Sequence, residues 1–383
     1  MIFSLRRITS SRNFIPEIDG LRFLAISSVV FYHLWHFFLE KDFHSYQGKK
    51  NYPILDTLLS HGDFGVPFFF VISACVLGIL FAGNTSGFSI KKYFFRRITR
   101  IEPPYFISIT LLFFGIIHVA KIATFEEQLP KYLSSLAYIS NFVYPRAHVN
   151  GVAWSLEIEV QFYLIAPILA LVFRIKNVLS RRFLLAVSAL VFLLLRYFIS
   201  PGFVSIFDYF HFFLIGFLIA DWYVCGIKFL PSTKADSILA LLFFGIIWIF
   251  KKQDFQIFGV QFLWEAVQLI CLTLFFYYVL IQKSLSILTK SWITNIGGMC
   301  YSIYLLHFYL ISAFGNLVLQ VEFSGVKLLN LGMYSLLIMI PMSAICLLFY
   351  VLIERPCMDP QWPKKILKLF RKKKCEEGTE GAT

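Results

Sequence analysis

An arginine and a histidine eleven residues apart could support acid–base chemistry inside the first apolar run. The run "EIDGLRFLAISSVVFYHLWHFF" covers residues 17–38 and carries Asp19, Arg22, His33 and His36. Asp19 and Arg22 are spaced i, i+3, which predicts that they can pair. On an α-helix, eleven residues place two side chains within about 20° of one face and about 16 Å apart along the axis. Ionisable groups within a membrane span are costly and are functional candidates by default. We therefore predict a functional role for His33, with a hydrogen bond to a neighbouring helix as the alternative. We predict that Arg22 either flanks a binding site or anchors the helix at the interface.

Three arginines in the segment "YFFRRITRIEPPYF" form a second candidate site. Arg96 and Arg100 are spaced i, i+4, and Arg97 and Arg100 are spaced i, i+3, so all three share one side of a helix. Guanidinium groups bind phosphate through a bidentate fork. Cytoplasmic loops of membrane proteins are generally rich in Lys and Arg, and this bias alone could also explain the positive charge of the segment. The cluster predicts a phosphorylated ligand, and the "PPY" that follows it predicts the start of the next span.

Other polar side chains in apolar runs are candidates for lining a cavity. Ser73 and His307 fall near the middle of their runs, at about the depth of His33, and interhelical hydrogen bonding is the alternative role for both. Glu159 and Gln161 lie in the first turns of "WSLEIEVQFYLIAP", where a carboxylate could orient a histidine, bind a sugar hydroxyl or face water. No CxxC or Cys/His spacing predicts a metal site, so we expect no metal.

The elements that position these residues are apolar helices. The chain has 383 residues, of which 58% are hydrophobic and 15% are charged, and its mean hydropathy is +0.72. Soluble domains carry about a quarter charged residues. Spans of roughly 17–25 apolar residues are expected at 20–39, 64–82, 103–120, 154–173, 183–199, 204–225, 236–250, 261–281, 297–319 and 329–353. The sequence thus predicts an all-α polytopic membrane protein with about ten transmembrane helices.

The distribution of positive charge predicts the orientation. Of the 35 Lys and Arg residues, 24 lie in segments on the side of the N-terminus and nine lie on the opposite side. This asymmetry predicts that both termini are cytoplasmic. We expect a cytoplasmic N-terminal segment at 1–19, a transmembrane domain at 20–354 and a basic cytoplasmic tail at 355–383. The net charge of +13 then reflects topology and contact with membrane lipids, and no nucleic-acid partner is expected.

Five segments, in order between residues 16 and 356, resemble acyltransferase family 3 of integral membrane acyltransferases. They are "PEIDGLRFLAISSVVFYH", "GDFGVPFFFVISA", "YFFRRITRIEPPY", "WSLEIEVQFYLIAP" and "YSIYLLH" followed by "ERP". Beside the arginine cluster, the resemblance covers Arg22, His33, Glu159, Gln161, His307 and Glu354. The chain departs from the family pattern at Pro67, where Asp is common, and at Ala74, where Gly is common.

The resemblance implies an O-acetyltransferase of the bacterial cytoplasmic membrane. Such an enzyme moves an acyl group, usually acetyl, from cytoplasmic acyl-CoA (acetyl-CoA) to a hydroxyl of an extracytoplasmic glycan or lipid-linked saccharide. On this basis Arg22, Arg96, Arg97 and Arg100 are expected to bind the coenzyme.

Roles for the remaining candidates follow from the same resemblance. His33 is expected to act as general base on the acceptor hydroxyl, with an acyl-histidine intermediate as the competing chemistry. Glu159 is expected to bind the acceptor or orient a partner, and Ser73, Gln161 and His307 are expected to line the substrate site. The alternative is a multi-pass transporter or flippase of a polysaccharide precursor or small molecule, which also needs polar groups at the midplane but would not depend on acyl-CoA.

Overall fold

The computed structural model describes eleven stretches of the chain, and these are helical with turns and no strand. The described residues are 5–8, 14–41, 52–83, 89–144, 149–199, 202–227, 231–233, 235–249, 257–321, 323–324 and 326–365. Most of the basic tail predicted at 355–383 therefore lies outside the described residues.

In the described part of the chain, ten apolar helices make up the bundle, in agreement with the predicted number. Nine helical segments of the described chain are long and apolar enough to cross a membrane, and a tenth apolar helix has only 14 residues. The ten helices are α1 (Pro16–Lys41), α2 (Gly65–Ala82), α3 (Ile90–Phe114), α4 (Trp154–Leu169), α5 (Val178–Leu195), α6 (Ile206–Val224), α7 (Asp236–Ile249), α8 (Phe258–Leu280), α9 (Cys300–Val318) and α10 (Lys327–Phe349). Shorter helices are Pro53–Leu59, Phe125–Leu136, Ser140–Val143, Ser291–Gly298 and Arg355–Cys357.

The two described ends of the chain meet at one face of the bundle. The Tyr350 hydroxyl donates to the carbonyl of Leu5 at 3.0 Å, and Arg355 Nε donates to the carbonyl of Arg6 at 3.4 Å. We call this side the terminal face and the other side the far face. A chain whose two ends lie at the same face has crossed the bundle an even number of times. The nine long helices of the described chain would give an odd number, so the short helix α7 is also a crossing.

Helix α3 joins the arginine cluster rigidly to the third span. The helix that carries this span begins before "PPY", because α3 starts at Ile90 and runs through Pro103 and Pro104. Pro103 lacks the N–H that would bond the Thr99 carbonyl. Trp362 Nε1 donates to that carbonyl instead, at 2.9 Å. The helix therefore continues past the prolines, and the arginines are held in register with it.

Helix α1 packs closely against its neighbours through glycines. It contacts α2, α9 and the helix Ser291–Gly298. A Cβ atom at Gly65 would lie 2.5 Å from the carbonyl oxygen of Ala25, and one at Gly297 would lie 1.8 Å from that of Asp19. Small residues allow such approach between membrane helices. The segment that carries Asp19 and Arg22 is thus fixed by backbone contact on two sides.

This packing predicts that Gly297→Ala destabilises the bundle. The added methyl group would overlap the α1 backbone, and overpacking costs about 1–3 kcal/mol. Gly245→Ala in α7 is the matched control, because a Cβ there meets no atom within 4 Å. Chemical denaturation in detergent micelles should show lower stability for the first variant and unchanged or higher stability for the second. Equal stability of Gly297→Ala and wild type would contradict the packing described here.

Candidate active site

Two histidines from distant parts of the chain meet inside the bundle. His307 Nε2 lies 3.3 Å from His33 Nδ1, and the ring centroids are 5.1 Å apart. His307 is fully buried, whereas His33 is partly exposed. Phe308 packs edge-on against His33, with ring centroids 5.2 Å apart. The structure therefore brings together the two histidines that the sequence placed at one depth.

Backbone carbonyls determine which ring nitrogens carry protons. His307 Nδ1 lies 2.9 Å from the carbonyl oxygen of Ile303 and 3.0 Å from that of Tyr304, and His33 Nδ1 lies 2.9 Å from that of Val29. Because carbonyl oxygens only accept hydrogen bonds, we assign a proton to Nδ1 of each ring. His307 Nε2 then accepts from His33 Nδ1. The Nε2 atom of His33 keeps its lone pair, as a general base or nucleophile requires.

A cavity lies between the histidines and the terminal face. We call it the core cavity. Apolar walls come from residues such as Val66, Phe69 and Leu156. Its polar lining residues are Arg22, Ser73, Arg97, Arg100, Ser155, Glu159, Tyr163, Cys300, Tyr301, Tyr304 and Glu354.

A second cavity lies closer to the terminal face and is rich in arginine. Arg7, Arg96, Arg97 and Arg100 line this mouth cavity, together with Tyr93 and residues 357, 358 and 360. Arg97 and Arg100 line both cavities. The arginine cluster predicted from its spacing therefore lies where the mouth cavity meets the core cavity.

Arg22 is held in the core cavity by a buried carboxylate. Asp19 accepts from Arg22 Nη1 at 2.8 Å and from Arg7 Nε at 2.7 Å, and it has no exposed surface. The i, i+3 pair predicted for Asp19 and Arg22 is thus confirmed, with Arg7 as an added partner. Burial and the neighbouring Arg22 lower the pKa of Arg7 to about 10, against the opposing effect of Asp19. Arg7 therefore stays charged at neutral pH.

We predict that Asp19→Ala destabilises the protein by about 3–5 kcal/mol, because removing one partner leaves buried, uncompensated charge. Here two guanidinium groups would remain close together. Asp359→Ala is the control, since Asp359 pairs with the exposed Lys365 at 2.6 Å and surface pairs add little. Denaturant titration in micelles should separate the two variants. A stability loss no larger for Asp19→Ala than for Asp359→Ala would contradict this role.

Ser73 and Glu159 belong to one hydrogen-bonded group in the core cavity. The Ser73 hydroxyl donates to Glu159 Oε1 at 2.5 Å, and the Tyr163 hydroxyl donates to the same oxygen. The guanidinium carbon of Arg97 lies 4.8 Å from the centroid of the Tyr163 ring. Glu159 thus faces the donors of Ser73 and Tyr163 near a cation, away from the histidine pair.

Ser73 lies far closer to the terminal face than His33 does. Gly65 of α2 contacts Ala25 of α1, so these two residues mark a common level. Ser73 is eight residues beyond Gly65 towards the terminal face, and His33 is eight residues beyond Ala25 towards the far face, about 12 Å in each direction. The expectation that Ser73 shares the depth of the histidines is therefore wrong, because α2 starts at the level of Ala25 and not at the far face, where the residue count placed its start.

Glu354 places a second carboxylate in the core cavity. It accepts from the backbone N–H of Ser302 at 2.9 Å and from the Ser302 hydroxyl. Arg22 and Arg100 line the same cavity, so the carboxylate balances part of their charge. Within the described residues, no three His, Cys, Asp or Glu side chains lie close enough together to hold a metal ion.

Gln161 lies outside the core cavity. Its Oε1 atom accepts from the backbone N–H of Ile206 at 2.8 Å, at the first residue of α6. This contact satisfies one of the N–H groups that the first turn of a helix leaves unpaired. The structure thus places Gln161 at a helix start, and not among the groups that line the core cavity with Glu159.

Tyr163 and Tyr304 of the core cavity were not among the sequence candidates, and Glu354 was named only through the family resemblance. Tyr163 lies one helical turn after Glu159, a spacing at which side chains meet, so the sequence held a signal for it. Tyr304 and Glu354 reach the cavity through contacts across the bundle. Tyr304 bonds Ser155, and Glu354 bonds Ser302. No local spacing relates these pairs.

This protein is similar to known proteins over part of its length. The protein is similar to the peptidoglycan O-acetyltransferase OatA of Listeria monocytogenes, with 30% identity over 43% of this chain and 25% of the relative. It is similar to the O-acetyltransferase OatA of Staphylococcus aureus, with 26% identity over 50% of this chain and 31% of the relative. ORF330 of Acidianus two-tailed virus, provisionally named an acetyltransferase, is 31% identical over 57% of each chain.

The matched region covers only part of these relatives, from about a quarter to just over half of their length. No solved structure matches the chain. A family model described as an acyltransferase domain matches residues 15–351. This range includes both histidines of the pair and the cavity-lining residues Arg22, Arg96, Arg97 and Arg100. The chain therefore belongs to acyltransferase family 3, as its five ordered segments predicted.

Proposed function

We propose that this protein transfers an acyl group, in the first instance acetyl, from cytoplasmic acyl-CoA to a hydroxyl of an extracytoplasmic glycan. The observation that carries the proposal is the order of the site along the bundle axis. An arginine-lined mouth cavity opens at the terminal face, a core cavity follows, and a histidine pair lies beyond it. A donor and an acceptor on opposite sides of a membrane need such an arrangement.

The arginines fit the donor's phosphates. Coenzyme A carries a diphosphate and a further phosphate, and guanidinium groups bind phosphate through charge-assisted, bidentate hydrogen bonds. We assign Arg7, Arg96, Arg97 and Arg100 to the nucleotide end of the coenzyme. On this proposal the terminal face, with the two described ends of the chain, lies on the cytoplasmic side, in agreement with the predicted charge asymmetry.

The core cavity fits the narrow part of the donor. The pantetheine arm carries two amides, and Glu159, Ser73 and Tyr163 offer hydrogen-bonding groups along the cavity wall. From sequence, Glu159 was expected to bind the acceptor or orient a partner. Its position on the terminal-face side of the histidines supports contact with the donor arm instead. Arg22 would meet the donor at the same level.

His33 would perform the proton transfer at the far end of this path. The acceptor oxygen attacks the thioester carbonyl carbon while His33 Nε2 takes the hydroxyl proton, and the C–S bond breaks as that proton passes to the leaving sulfur. His307 Nε2 accepts from His33 Nδ1 and stabilises the imidazolium that forms. An acyl-histidine route would use the same free lone pair on Nε2.

The acceptor we propose is a surface glycan, with a peptidoglycan-like or lipid-linked saccharide as the first to test. The placement we propose is the bacterial cytoplasmic membrane. NMR of surface glycans from cells with and without the protein tests this directly. Ester-linked acyl groups should be present only with the protein. Loss of an entire glycan, with unchanged acylation of what remains, would instead favour a transporter or flippase.

A further inference from the structure

Tyr304 separates the core cavity from the histidine pair. Its side chain lines the cavity, and its backbone carbonyl accepts from Nδ1 of His307 at 3.0 Å. The residue therefore belongs to the lining of the cavity proposed for the donor arm and also contacts the ring that supports His33.

The Tyr304 hydroxyl has two hydrogen-bond partners in the bundle. It donates to the carbonyl oxygen of Val152 at 2.5 Å and lies 3.1 Å from the hydroxyl oxygen of Ser155. These contacts fix the position of the ring in the lining of the cavity. Moving the ring aside would break two hydrogen bonds within the bundle, where water does not readily replace them.

The loop that anchors Tyr304 is itself fastened to α9. Asn150 Nδ2 donates to the carbonyl oxygen of Leu305 at 2.9 Å, and the Tyr309 hydroxyl donates to that of Val149. Gly151 allows this approach, because a Cβ atom there would lie 3.2 Å from the ring of Phe308. The end of the core cavity is thus a built, hydrogen-bonded wall.

We propose that Tyr304 limits the length of the acyl group that reaches His33, which restricts the donor to short acyl-CoA thioesters. This inference rests on the proposed function, and it names the donor class for the same site. Val66, Phe69 and Leu156 form apolar walls of the cavity. The polarity of these walls would accept an acyl chain, so the length of that chain is limited by the available space. Each added methylene would have to occupy volume that the Tyr304 ring fills.

Steady-state transfer with a series of donors tests the proposal. Membranes carrying the wild type or a variant receive acetyl-, propionyl- or butyryl-CoA, and kcat/KM is measured for each. Size discrimination in an apolar pocket reaches about 10–200-fold per methylene. We expect the wild type to prefer acetyl over butyryl by at least about tenfold, and Tyr304→Ala to lower that ratio by at least about tenfold.

Two variants separate size selection from a structural role. Tyr309→Phe removes a hydrogen bond to the same loop without changing the cavity lining, so its acetyl-to-butyryl ratio should match the wild type. Tyr304→Leu retains bulk and should give an intermediate ratio; it also serves where Tyr304→Ala fails to fold. A wild type that transfers butyryl as well as acetyl would overturn the proposal, as would active Tyr304 variants with an unchanged ratio. Absence of transfer from every donor would instead refute the proposed function.

Discussion

Replacing His33 with alanine should abolish acyl transfer while leaving the amount of protein in the membrane unchanged. A general base contributes about 10²–10⁴-fold to a rate, so kcat/KM should fall by at least that factor. His33 is the histidine of the pair whose Nε2 atom keeps a lone pair and whose ring is partly exposed. His307→Gln should cause a smaller loss, because His307 supports the imidazolium and does not itself contact the reacting hydroxyl.

The matched control for this experiment is His118→Ala. His118 lies at the far end of the third span and stacks on Phe114, with ring centroids 5.9 Å apart, outside both cavities. Its replacement should leave kcat/KM within about twofold of the wild type, since surface substitutions away from special features change little. Wild-type activity in His33→Ala would remove His33 from the mechanism. Equal losses in both variants would point to a general defect in the protein.

The second large effect is expected from Arg97 and Arg100, which line both cavities. Hydrogen bonds to charged groups are worth about 1.5–3 kcal/mol, which corresponds to about 10–150-fold in affinity. Arg97→Ala and Arg100→Ala should each raise the KM for acyl-CoA by such a factor. Lysine should restore only part of the affinity, because it lacks the planar fork that matches phosphate.

Lys91→Gln and Lys92→Gln are the controls for the arginine variants. Both lysines are exposed in the first turn of α3, on the same helix as the arginines, and neither lines a cavity. They test whether any loss of positive charge weakens donor binding. A similar rise in KM for lysine and arginine variants would indicate a general electrostatic effect. An unchanged KM in the arginine variants would remove the cluster from the donor site.

Much of the site was predictable from sequence because helices convert spacing into geometry. The eleven-residue interval between Arg22 and His33 correctly places Arg22 in the cavity and His33 beyond it. The i, i+3 spacing of Asp19 and Arg22 predicted their ion pair. Apolar run lengths predicted the number of helices, including the short α7. The depth shared by His33 and His307 also followed from counting residues within each span.

The remaining features depend on contacts that no local pattern encodes. The level of Ser73 depends on where Gly65 meets Ala25, which is a property of two helices together. The continuation of α3 through Pro103 depends on Trp362, which supplies the missing donor from the other end of the chain. Tyr304 looks like any interfacial tyrosine until its hydroxyl is seen against the loop at Val152.

The most direct measurement of the central claim is vectorial acyl transfer in proteoliposomes. Purified protein would be reconstituted with a soluble glycan acceptor trapped inside, and acetyl-CoA labelled in its acetyl group would be added outside. Protease accessibility of the chain termini identifies molecules whose terminal face points outward. We predict label on the trapped glycan, in proportion to that fraction and absent with His33→Ala. Labelling that depends on acetyl-CoA inside the vesicles, or that persists in His33→Ala, would contradict a path from the arginine mouth to the histidine pair.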